Sequence, residues 1–125
     1  MEYSNFEYSN DNLLSNRVLG DLWVQQLISL GVDDTSITRN YGKDGRGSTD
    51  MGNASHKAPT IHPSISITGG VKVSGHSREL AACTVDPTGQ EAGRLASKAL
   101  AFCTIELLAD EDLRKRVKEE FLQSE

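Results

Sequence analysis

Between Asp11 and Leu30 the apolar residues Leu14, Val18, Leu22, Leu27 and Ile28 recur at helical spacing, and Leu19 and Trp23 widen the stripe. The pattern predicts a helix over residues 11–30. Asn10 or Asp11 can cap its start, and Gly31 can close its end in a left-handed turn. A different period follows in "TIHPSISIT", where Ile61, Ile65 and Ile67 alternate with polar residues. That alternation predicts a short strand near 64–68, ended by Gly69-Gly70, with "VKV" as a second strand or a loop segment. From Thr88 the helical period returns. Thr88-x-x-Glu91 has the form of a capping box, and the run to Leu108 is rich in small residues (Gly93, Ala96, Ala99) that let a neighbour approach closely. A last helix over 111–122 opens at Asp110 and aligns Leu113, Val117 and Phe121 on one side.

The pieces between these elements are polar. "EYSN" occurs twice within residues 2–10, a repeat too brief to build on, and residues 1–10 read as a disordered leader ahead of one domain over 11–125. Residues 33–49 have the composition of a loop. Helix, loop, strand, helix, helix is too short of strands to close a sheet, so the expected class is α/β with an incomplete sheet.

Composition removes several kinds of partner. A chain of 125 residues is one domain at most. Its net charge is -5 and no lysine- or arginine-rich stripe appears, so neither a nucleic-acid backbone nor an anionic membrane has anything to hold. The N-terminal residues are acidic and polar, without the apolar run of a signal peptide or a membrane span. Cys83 and Cys103 are too far apart for a Cys-x-x-Cys clip and read as reduced thiols of a cytoplasmic protein.

The stretch "GRGSTDMGNASHKAPTIHP" (45–63) is where chemistry is expected, since it suits neither a strand nor a helix. Phosphate binding is the first candidate, because Gly42 and Gly47 have the spacing of a phosphate-cradling loop. Ser48 stands where such a loop needs lysine, however, and the preceding "TSITRNY" is a weak strand, so nucleotide binding is set aside. A metal site is the second, drawn from Asp50, His56, His62 and His76. No pair among them has the spacing of a zinc-binding helix or a structural zinc clip. The third is the carboxylate pair Glu119-Glu120, which sits in the mixed-charge run "DLRKRVKEEF" and reads as a solvated helix face.

Taken in order, "GSTDMGNASHKAPTIHPSISI", "GHSREL" and "GQEAGRLASKALAFCTIELLADEDLRKRVKEEF" resemble the C-terminal end of the zinc-dependent aminoacylase and carboxypeptidase G metallopeptidases. Within that family the aminobenzoyl-glutamate hydrolase and dipeptidase branch is the most similar. The resemblance runs from about Asn12 to Phe121 and is most specific over Gly47–His56 and Gly75–Ser77. It implies a segment of a three-layer αβα catalytic domain. It further implies that His76 is the last metal ligand and that Gly47, Ser48, Thr49 and Asp50 border the pocket of a small amide substrate. Asn53, Ser55 and His56 match as well, and equally suit hydrogen bonds that hold the loop.

The family's complete site binds two zinc ions and also needs an early histidine, a bridging aspartate and a glutamate pair, none of which stands upstream of His76. Two functions follow as expectations. Either the chain belongs to a hydrolase of dipeptides, N-acyl amino acids or aminobenzoyl-glutamate and is inactive alone, or it is a non-catalytic remnant that works as an interaction module. The partner would then be a second copy or a full-length relative, met through an uncovered sheet and helix face.

Overall fold

The computed structural model describes residues 9–40 and 49–124. Helix α1 spans Arg17–Ser29 and starts later than its apolar period predicts. The reason is Asn16, not Asn10 or Asp11. Its extended backbone ends the incoming segment, and its side-chain oxygen accepts a hydrogen bond from the Leu19 amide at 3.0 Å. At the far end Gly31 takes the left-handed conformation (φ 93°) that its position predicts.

Two short helices, α2 (Met51–Ser55) and α3 (Arg78–Cys83), form where the sequence pattern predicts no helix. Helix α4 then runs over Pro87–Ala109. It is capped by Asp86, whose carboxylate accepts from the Gly89 amide at 3.0 Å, with Pro87 in the first turn, where a missing N–H costs nothing. The Thr88/Glu91 capping box is not used, and Glu91 pairs instead with Arg94 one turn on at 2.8 Å. Helix α5 (Glu111–Gln123) follows after one residue. Asp110 serves both neighbours: its N–H closes α4 on Glu106, and its carboxylate caps α5 by accepting from Leu113 at 2.9 Å. Arg114 reaches back to the Leu107 and Leu108 carbonyls, which the end of α4 leaves without helical partners.

The core lies where α1, α4 and α5 meet. Leu22, Trp23 and Leu27 of α1 pack with Ala99 and Cys103 of α4 and with Leu113 and Val117 of α5. Ala99 is completely buried, so the small-residue face of α4 is used as its composition suggests. Each buried leucine or valine contributes about 1.5–3 kcal/mol. Burial also pushes the Cys103 thiol above its ordinary pKa.

This architecture overturns the α/β expectation. The structure is 58% helix, and its described residues contain no strand and no sheet, so it is not a three-layer αβα fold. The alternating isoleucines fail as a strand because their backbone finds no ladder. One isolated parallel bridge, Ser15 to Thr60, is the whole of the pairing among the described residues. Ile61 and Ile65 pack against the helical core instead. With no sheet to cover it, α4 turns Leu100, Ile105 and Leu108 outward, the last at 75% exposure.

Glu120 departs from its expected role as a solvated charge. Its two carboxylate oxygens accept from the Arg17 and Val18 amides, each at 2.8 Å, so α5 caps the first turn of α1 from the side. Neighbouring Glu119 is exposed. Glu120→Ala is therefore expected to lower unfolding free energy by about 1–2 kcal/mol, while Glu119→Ala stays within about 0.5 kcal/mol of the parent. Urea denaturation followed by circular dichroism checks the contrast, and equal effects would show that the cap is idle.

Candidate functional site

The most constructed surface outside the core is built on α2. Four of its features act on one target, the segment from Ser9 to Leu14. The Asn53 side chain accepts from the Asp11 amide at 2.7 Å and donates to the Ser9 carbonyl at 3.1 Å. His56 meets the Asn12 carbonyl through Nε2 at 3.0 Å, a contact that requires the proton on that nitrogen. Ser55, fully buried, accepts from the Leu14 amide at 2.9 Å and donates to the Gly52 carbonyl at 2.5 Å. Gly52 supplies the space: a Cβ there would stand 1.8 Å from the Asp11 carbonyl oxygen. Part of the leader predicted as disordered, Ser9 and Asn10, thus lies among the described residues and is held at Ser9.

The residues expected to border a substrate lie just before this surface. Gly47 and Ser48 fall outside the described residues. Thr49 is half-buried, and its hydroxyl accepts from the Met51 amide at 3.3 Å, a local turn bond. Asp50 is exposed at the start of α2, and its carboxylate caps nothing. His62 is exposed, immediately before Pro63.

His76 stands apart in conformation. Its φ of 53° makes it the one non-glycine residue with positive φ among the described residues. Its side chain is exposed. Ser77 fixes the position from both sides, donating to the Ser74 carbonyl at 2.9 Å and capping α3 by accepting from Leu80 at 3.0 Å. No group of three histidine, cysteine, aspartate or glutamate side chains able to hold a metal occurs among the described residues. A catalytic zinc takes about three protein ligands. His76 with these neighbours is one donor, and the described residues do not fit a zinc site.

Two clefts open elsewhere. One of about 300 Å³ lies beside α1 and the α4–α5 junction, lined by Asp21, Gln26, Glu106, Asp110 and Arg116 among others. A wider apolar groove of about 510 Å³ runs between Ile65 and the Pro87–Leu95 face of α4. Neither is lined by Thr49, Asp50 or His76. No helix among the described residues is long and apolar enough to cross a membrane. No protein-family model, no curated protein and no solved structure matches the chain.

The grip of α2 on residues 9–14 is what a sequence reading misses. Asn53, Ser55 and His56 stand out as polar loop residues, but their partners lie 41 to 44 positions away, and no local spacing announces that pairing. Gly52→Ala should force the Asp11 carbonyl off α2. The expected result is a loss of about 1–3 kcal/mol, with faster hydrogen exchange at the Asp11 and Leu14 amides and unchanged helix content. Unaltered exchange at both amides would show that the close approach does not hold the segment.

Proposed function

We propose that this chain is the C-terminal, substrate-side portion of a metal-dependent small-amide hydrolase of the aminoacylase and carboxypeptidase G type, presenting His76 as one metal donor and hydrolysing nothing by itself. The substrates are small amides: dipeptides, N-acyl amino acids or aminobenzoyl-glutamate. The observation that supports this reading is the backbone of His76. A left-handed conformation costs a side-chain-bearing residue about 1–2 kcal/mol, and such strain persists where the surrounding structure over-determines it, often at functional positions. Here Ser74, Ser77 and the start of α3 impose it, and they leave the imidazole facing solvent at the residue that the "GHSREL" motif marks as a ligand.

The remaining parts of the reading follow from the chain's own groups. Cys83 and Cys103 are unpaired thiols, which suits a reducing, cytoplasmic setting. The outward row Leu100, Ile105 and Leu108 favours the alternative, a non-catalytic interaction module. The coding sequence immediately upstream of Met1 separates the two. In-frame metal ligands there support the hydrolase, and their absence supports the module.

The direct test uses the purified chain, dialysed against zinc or manganese, with bound metal quantified and dipeptides and aminobenzoyl-glutamate offered as substrates. The expected outcome is weak, substoichiometric metal that falls further in His76→Ala, with no turnover. A full equivalent of tightly held metal with turnover lost in His76→Ala would overturn the proposal, as would metal binding indifferent to that change. His76→Gly should also raise unfolding free energy by about 1 kcal/mol, because glycine tolerates positive φ.

A further inference from the structure

The second half of α4 is almost without charge. From Ala99 to Ala109 the one charged residue is Glu106, in a chain that is 25% charged overall. Phe102, Ile105 and Leu108 are nevertheless 40%, 59% and 75% exposed. A protein that works alone seldom leaves three large apolar side chains together within two turns of one helix. Charge frames this patch. Lys98 and Glu106 stand four residues before and four after Phe102, on one i, i+4 ridge of the helix, and both are exposed. Neither forms an ion pair among the described residues. Each lies about 6 Å along the axis from Phe102. The ridge thus runs positive, apolar, negative, and turned end for end it is its own complement.

We propose that this ridge of α4 is a homodimer interface, on which a second copy of the chain packs antiparallel about a two-fold axis. Phe102 and Ile105 of the two copies meet at the centre, and Lys98 of each copy stands against Glu106 of the other. The two-fold makes every such contact occur twice. A parallel copy would set lysine against lysine and glutamate against glutamate, so the charges also choose the orientation. Ridges of this kind pack on one another with about 50° between the helix axes, the commonest crossing in globular proteins. Area sets the strength. A row this short stays below the roughly 1,200 Å² of a standard interface, in the range of transient pairs. A dissociation constant on the order of 10–100 μM is therefore expected. The inference names the partner of the interaction-module alternative and rests on that reading's exposed row. Metal and His76 take no part in it, so its failure leaves the hydrolase reading untouched.

The test is sedimentation of the full chain without metal or substrate, from about 1 μM to about 1 mM. A reductant keeps Cys83 and Cys103 as thiols. The parent should pass from monomer to dimer across that range. Lys98→Glu alone and Glu106→Lys alone each place two like-charged pairs in the interface, and each should weaken dimerisation about tenfold. Mixed in equal amounts, the two variants should pair with one another, because a mixed dimer restores both opposite-charge contacts. The mixture should associate about as tightly as the parent.

A parent chain that stays monomeric throughout would overturn the proposal and leave the row to a different protein. Single variants that dimerise as the parent does, or a mixture no tighter than either variant alone, would overturn it equally. Circular dichroism checks that each variant keeps its helices. Should either lose them, Ile105→Lys, at an exposed position, takes its place and should abolish the dimer. A dimer that survives Ile105→Lys would overturn the interface.

Discussion

Three amide N–H groups at the start of α1, those of Arg17, Val18 and Leu19, find their acceptors on side chains. Asn16 takes one and the carboxylate of Glu120 takes the other two. Any helix leaves such donors open, and leaving them unmet in a partly buried place costs more than the bonds gain. The solution used here is positional. Because Glu120 belongs to α5, satisfying α1 also fixes where α5 must lie. Asn16 adds the second constraint, since its amide group donates to the Val117 carbonyl and its backbone N–H to Thr60. One buried asparagine therefore orients α1, α5 and the stretch that carries Ile61 and Ile65 onto the core.

The arrangement on α2 follows from that junction. Residues 9–14 lead into Asn16 without helical bonds of their own, so their backbone groups need partners elsewhere. Asn53, Ser55 and His56 provide them.

The long helices were legible in the sequence because their signals are local. Apolar period, Gly31 after α1 and Asp110 before α5 each act within a turn or two, and each is seen in the structure. Another local cap displaced the expected one at both helices, Asp86 for Thr88 and Asn16 for Asn10 or Asp11. The isoleucine alternation misled for a non-local reason: a strand exists only by virtue of a partner, and "SISI" has none among the described residues. Glu120 was equally opaque, because a mixed-charge helix face looks the same whether or not one carboxylate meets a distant helix end. At the candidate site the positive φ of His76 was not legible, because it is imposed by Ser77 and the start of α3.

The single-residue connection at Asp110 has a kinetic consequence. Helices α4 and α5 are neighbours in sequence, capped by one shared residue, and can pair with little loop to close. The bonds that bring α1 to α5, in contrast, join residues 101 to 103 positions apart. Closing a loop of that length carries about 4 kcal/mol of chain entropy before any contact is made. Pairing α4 with α5 therefore carries the smaller closure cost and docking α1 on α5 the larger. Both extremities of the described chain then share one fate: loosening either end undoes the same junction.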